Sequence, residues 1–320
     1  MNMPLGPGRE FDRIRGILTR LGPAAYGVGD DCAVVPEAAG NLVVSVDLSV
    51  EDVHFRREWL TLEEIGWRAA SAALSDLAAE GAEAVGALVS LGVRRDTTED
   101  DIVAVMMGAG AAVRDVGGAI LGGDLTAADH WVIDVVVIGR AERPVTRSAA
   151  VAGDGLWVTG HLGTARAALR GWQLGGAPAA EARAAFAHPL PRLTAGRLLA
   201  RMGAHAMIDV SDGLGGDAGH LAAASGVALD ITLDHLPITA AAVSAAATDG
   251  IPAAHFAALG GEDYELLVAL PPGFSPVEAG EFTRATGVPL TRIGVVREGA
   301  GVRFQLDGRE LRLSGYDHFA

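Results

Sequence analysis

Apolar residues in this chain fall into two rhythms, and turns rich in glycine and acid separate them. Positions 131–138 read Trp-Val-Ile-Asp-Val-Val-Val-Ile, a β-branched run that predicts a strand. Shorter runs at 42–46, 85–93 and 119–121 predict three more strands in the first half. Between them, Phe11, Ile14, Leu18 and Leu21 repeat at helical spacing. Thr61-Leu62-Glu63-Glu64 forms a capping box that should open a helix running toward Ala79. Thr98 should cap another, with Ile102, Val105, Met106, Ala109 and Val113 along one face. In the second half, strands are predicted at 156–159, 206–208, 229–233, 264–270, 292–296 and 302–306. The last is closed by a turn at Asp307-Gly308. Helices are predicted after the turn at 160–163, from Pro191 to Met202, and from 213 to about 224. The alternation points to an α/β chain, without barrel regularity or solenoid repeat. A boundary near 148–153 divides it into domains 1–148 and 149–320.

Acidic residues concentrate where these elements end. Gly27-Val28-Gly29-Asp30-Asp31-Cys32-Ala33 places two adjacent carboxylates after a Gly-x-Gly turn, and Ser45-Val46-Asp47 follows. Further acid-bearing stretches are Ser75-Asp76, Gly122-Gly123-Asp124, Asp209-Val210-Ser211-Asp212 and Gly260-Gly261-Glu262-Asp263. Two carboxylates about 4 Å apart repel by roughly 4 kcal/mol at an effective dielectric near 20. Asp76, near a helix C-terminus, is also disfavoured by the helix dipole. The expectation is that these turns converge on one site holding several metal ions.

Composition narrows the chemistry. The net charge of -15 argues against nucleic acid and anionic membrane surfaces as partners. It leaves phosphate substrates open if cations carry the positive charge. The chain contains no lysine, which removes a Walker-type phosphate loop and Schiff-base chemistry. Cys32 is the single cysteine, so no intramolecular disulfide forms. No signal peptide is read at the N-terminus and no run is long enough to span a bilayer, so a cytoplasmic location is expected.

The acidic words, in order, resemble the thiamine-monophosphate kinase family of the aminoimidazole-ribonucleotide-synthetase-like superfamily. Besides the stretches above, the resemblance is carried by Val-Glu-Asp-Val-His-Phe (50–55), Leu-Ser-Asp-Leu-Ala-Ala (74–79) and Thr-Arg-Ser-Ala-Ala (146–150). It continues through Gly-Asp-Gly-Leu-Trp-Val-Thr-Gly (153–160) and His-Pro-Leu-Pro-Arg (188–192). Its most specific words are Ile-Asp-Val-Ser-Asp-Gly-Leu (208–214), Gly-Gly-Glu-Asp-Tyr-Glu-Leu (260–266) and Gly-Tyr-Asp-His-Phe (315–319). The set spans essentially the whole chain.

The resemblance implies a two-domain synthetase-like α/β (α+β) fold, with a mixed-sheet N-terminal domain that pairs in a homodimer. It implies ATP-dependent phosphorylation of thiamine monophosphate to thiamine diphosphate, with several Mg²⁺ ions. By matching positions, Asp31, Ser45, Asp47, Asp76, Asp124, Asp209 and Asp212 would serve metals. Gly123, Asp124, Arg147 and Ser211 would meet ATP, and His54, Glu262 and Tyr316 the thiamine phosphate. Two departures stand out. Val46 replaces a common threonine, and Arg114-Asp115-Val116 offers no aromatic before Gly122.

Phosphoryl transfer needs alignment and positive charge more than covalent help. The acceptor phosphate is already ionised, so no general base is assigned. Asp263 reads as the structural member of its turn, while Asp212 or Ser211 doubles as a candidate helix cap. Two alternatives stay open: another ATP-using member of the superfamily, and a catalytically silent nucleotide sensor.

Overall fold

The computed structural model describes residues 16–25 and 39–316. The chain is mixed α/β and divides into two compact units. One comprises the described residues up to Leu77 together with Glu83–Glu142; the other comprises Ala78–Ala82 and the residues from Arg143 onward.

The first unit is a four-stranded sheet in the order β1-β4-β2-β3. Its strands are β1 (Asn41–Val50), β2 (Glu83–Val93), β3 (Ala119–Ala127) and β4 (Val132–Ala141). β4 pairs antiparallel with β1 and β2, and β2 pairs parallel with β3. A parallel pair needs a crossover. Helix α2 (Glu99–Asp115) supplies it, and α1 (Leu62–Ala79) precedes β2. Both helices start as their sequences demand. Thr61 Oγ1 accepts the Glu64 amide while Glu64 accepts the Thr61 amide, and Thr98 and Asp101 repeat the exchange. One face of the sheet carries Ile133, Val135, Val137, Ala87, Val89 and Leu91, all buried. The other face is different. On β1, Leu42, Val44, Val46 and Leu48 are 53, 58, 60 and 48 % exposed.

The second unit is built on a seven-stranded sheet, β11-β10-β7-β9-β5-β8-β6. Its strands are β5 (Gly155–Thr159), β6 (Ala206–Val210), β7 (Ala228–Thr232), β8 (Glu265–Leu270), β9 (Leu290–Arg297), β10 (Gly301–Leu306) and β11 (Arg309–Leu311). β5, β6 and β8 are buried throughout, the mark of a sheet covered on both faces. The helices are α3 (Thr164–Gln173), α4 (Ala180–Ala187), α5 (Leu193–Arg201), α6 (Leu214–Ser225), α7 (Ala240–Asp249), α8 (Ala253–Ala258) and α9 (Pro276–Thr286). Leu156 and Val158 join Ile208, Val210, Leu214 and Leu221 in one core. Each fully buried leucine of this kind contributes roughly 1.5–3 kcal/mol.

Three stretches depart from the sequence expectation. β1 runs on past Asp47 to Val50, so Ser45 and Asp47 sit mid-strand. The 119–121 strand runs through Gly122-Gly123-Asp124 to Ala127, because β2 pairs with it along that whole length. Asp209 likewise lies within β6 and is 6 % exposed. The acids of all three were expected at strand ends or turns; ladder pairing extends the strands over them.

Candidate functional site

In the first unit, strand register decides which side each acid faces. Residues directly opposite one another in a sheet share a face, and the faces alternate along a strand. Asp47 lies in the row Asp47–Val135–Val89–Gly123. Ser45, two residues back, shares its face, and the Ser45 hydroxyl donates to Asp76 Oδ2 at 2.5 Å. Asp76 is in the last turn of α1, so Ser45, Asp47 and Asp76 belong to the helix-covered side. Asp124 lies one row over, in Leu48–Asp134–Ser90–Asp124. It is therefore on the open face with the exposed apolar residues of β1, and it is itself exposed. Gly123 has no room for a side chain, since a Cβ there would run into the Val89 carbonyl.

His54 sits in a tight turn that follows β1. The Val50 amide donates to its Nδ1 at 3.1 Å, and the His54 amide donates to the Val50 carbonyl at 2.9 Å. With Nδ1 accepting, the proton of the neutral ring is on Nε2. The turn also holds Asp52 at φ +66°, a left-handed position that aspartate tolerates better than most residues.

In the second unit, three segments meet through their main chains. The Glu262 amide donates to the Ser211 carbonyl at 2.7 Å, and the Tyr264 amide to the Val210 carbonyl at 2.9 Å. The Tyr316 amide donates to the Asp212 carbonyl at 3.0 Å. Ser211, Asp212, Glu262 and Tyr316 are thereby assembled. Glycine makes the approach possible: a Cβ on Gly261 would lie 2.5 Å from the Ser211 carbonyl oxygen. Asp263 takes the structural part, accepting the Gly163 amide at 2.7 Å where α3 begins. Tyr316 is 61 % exposed and Glu262 half-buried.

Two residues absent from the sequence-derived set shape this region. Glu265, 3 % exposed, takes a fork from Arg192 at 2.9 and 2.6 Å and a hydrogen bond from the Thr159 hydroxyl at 2.7 Å. This ion pair fixes the start of β8 next to Tyr264, and it gives the Arg of His-Pro-Leu-Pro-Arg a task. The second is Asp217, in the first turn of α6. Burial, then the charges of Asp209 and Asp212, push its carboxyl up to about 8. Its signal in the sequence was the spacing: an acid four residues beyond Gly213.

Not every expected residue joins these groups. Asp31, like Asp30, lies outside the described residues. Arg147 is exposed, and its loop is tied at the far end of the βα unit that carries Ser211. The Arg147 carbonyl accepts from Ser225 at the C-terminus of α6 (2.8 Å), and the Thr146 carbonyl accepts from Met207 early in β6 (3.3 Å). Among the described residues, no three or more His, Cys, Asp or Glu side chains gather closely enough to hold a metal ion.

The family models agree with the division into two units. Residues 29–141 match the AIR synthase related protein N-terminal domain, and residues 151–307 match the corresponding C-terminal domain. A thiamine-monophosphate kinase of Mycobacterium tuberculosis is 37% identical over 312 residues, covering 96% of this chain and 89% of that protein. The chain belongs to the thiamine-monophosphate kinase family. It is an enzyme of that type, built from two AIR-synthase-type domains. The crystal structure of thiamine-monophosphate kinase from Stenotrophomonas maltophilia K279a matches with a TM-score of 0.81 and 34% identity, over 97% of this chain and 99% of that one. Another family structure, AaThiL complexed with AMPPCP and TMP, matches with a TM-score of 0.79 and 30% identity, over 97% of each chain. None of the described helices is long and apolar enough to cross a membrane.

Proposed function

We propose that this enzyme transfers the terminal phosphoryl group of ATP directly and in line to the phosphate of thiamine monophosphate. The bond from the γ-phosphorus to the β–γ bridging oxygen breaks. A new bond forms from that phosphorus to an acceptor phosphate oxygen, and ADP and thiamine diphosphate leave. The acceptor is anionic near neutral pH, so no side chain need take a proton. Glu262 and Tyr316 bind thiamine phosphate together with His54, whose Nε2 proton is a donor suited to a phosphate oxygen. Ser211, Gly123, Asp124 and Arg147 bind ATP. The observation that carries this reading is the main-chain convergence of Ser211, Asp212, Glu262 and Tyr316.

Asp31, Ser45, Asp47, Asp76, Asp124, Asp209 and Asp212 would hold Mg²⁺. The donor chemistry fits, since carboxylate and hydroxyl oxygens are the hard ligands Mg²⁺ prefers. When bound, Mg²⁺ supplies positive charge that offsets repulsion between the two phosphate substrates. The decisive experiment incubates purified protein with ATP, MgCl₂ and thiamine monophosphate and separates the products. Thiamine diphosphate with stoichiometric ADP is expected. Conversion of a different acceptor, or no turnover, overturns the assignment.

We further propose a homodimer formed through the first unit, in a cytoplasmic enzyme with no nucleic-acid or membrane partner. Four adjacent apolar side chains on β1, about half exposed or more, are what supports it. A second copy covering that face would also meet Asp124. Light scattering should give a dimer mass at micromolar concentration; a monomer there would sink the proposal.

A further inference from the structure

We propose that Asp217 is a positioning residue: its buried carboxyl group fixes the Ser211–Asp212 main chain, and through that chain it places Glu262 and Tyr316. The inference rests on the functional reading above, which gives those four residues their ligands. Asp217 is 2 % exposed. Its Oδ2 accepts the Asp212 amide at 3.2 Å, and the Ser211 amide bonds to the same carboxyl. With both amides turned toward Asp217, the Ser211 and Asp212 carbonyls are left to receive Glu262 and Tyr316. Every main-chain polar group of the pair is then committed, and the loop has little freedom left.

The sequence around α6 explains why the acid stands at this position. A helix start usually takes its side-chain cap from the residue before the first turn. Here that residue is Gly213, at φ +98°, where a Cβ would lie 3.0 Å from the Gly260 carbonyl oxygen. An acid cannot stand there without pushing the 260–264 segment away. Asp217 instead reaches back from the following turn. Gly216 completes the arrangement, because a Cβ there would come 2.9 Å from Gly315 Cα. The segment that bears Tyr316 therefore lies directly on the start of α6. Asp217 touches no proposed substrate atom; it acts through the amides it holds.

The test compares Asp217→Leu, which accepts no hydrogen bond, with Asp217→Asn, which keeps one acceptor oxygen. Hydrogen exchange on the substrate-free protein reads the loop, and steady-state kinetics read its effect. Asp217→Leu should lose amide protection over 209–216 and at Tyr316, with Glu265–Leu270 still protected. Its KM for thiamine monophosphate should rise at least about ten-fold, given two lost amide hydrogen bonds. Asp217→Asn should recover most of both. Unchanged exchange and unchanged KM in a folded Asp217→Leu protein overturn the proposal. So does Asp217→Asn behaving as badly as Asp217→Leu, since charge rather than acceptance would then be what matters. If Asp217→Leu does not fold, Asp217→Asn decides alone: retained protection at 211–212 supports the proposal, and lost protection with unaltered KM refutes it. A wild-type protein inactive toward thiamine monophosphate would defeat the functional reading but leave the exchange result standing.

Discussion

In the first unit Asp76 receives a short hydrogen bond from the Ser45 hydroxyl. In the second, burial first and then the charges of Asp209 and Asp212 push the Asp217 carboxyl up to about 8. The two regions also fix their acids by different means. Ser45, Asp47 and Asp124 are set by sheet register, and a slip of one residue would move each to the opposite face. Ser211 and Asp212 are set by hydrogen bonds from loops distant in sequence. The first arrangement tolerates loss of a neighbour, because the ladder persists. The second depends on a few amides and on glycines that let main chains approach. The two acidic regions thus follow two routes: Asp76 accepts from a hydroxyl donor, and Asp217 keeps a proton.

Neutralising one acid in each region puts this contrast to its strongest test. Asp47→Asn and Asp212→Asn should each cost at least about 100-fold in turnover, roughly 2.7 kcal/mol of transition-state stabilisation. Their metal-free stabilities should differ. Asp212→Asn removes a charge that presses on Asp217 and should raise the thermal midpoint, whereas Asp47→Asn should leave it near wild type. Wild type with Mg²⁺ and AMPPCP at about 100 times the dissociation constant should gain roughly 2.7 kcal/mol. Both variants should lose much of that gain. A destabilised Asp212→Asn protein that keeps its ligand shift and activity would make Asp212 a cap rather than a metal ligand.

Much of this was legible in the sequence because local signals agreed with the fold. The capping boxes at Thr61 and Thr98 and the β-branched run at 131–138 each produced the expected element. The hairpin at Asp307-Gly308 did too, with both residues at positive φ. Four helices of the second unit, α4, α7, α8 and α9, were not anticipated from the sequence. α7 is mostly alanine, so no apolar stripe marks it out; its evidence is Thr239 at the start and left-handed Gly250 at the end. α8 is a short piece after Pro252. α9 opens with Ser275 and Glu278, a box that was there to be read. The acids at Asp47, Asp124 and Asp209 looked like turn residues, because strand ends set by partners elsewhere in the chain leave no local mark. Asp217, in the first turn of α6, was not singled out from the sequence. Its importance comes from the amides of residues 211 and 212, which only the folded loop brings to it.

A further test sharpens the contrast through pH. An aspartate in an unfolded chain titrates near 3.9, while Asp217 in the folded protein titrates at about 8. Between those values the folded state holds a proton that the unfolded state has released. Stability therefore falls as pH rises across that window, by at most about 1.4 kcal/mol per pH unit from this one group. In chelator, the thermal midpoint of wild type should drop from pH 5 to pH 8 relative to that of Asp217→Asn, which has no proton to lose. Saturating Mg²⁺ should flatten the difference, because a bound cation favours the ionised carboxylates. If Asp217→Asn shows the same slope as wild type in chelator, Asp217 is not the group that stores the proton, and the distinction between the two acidic regions fails.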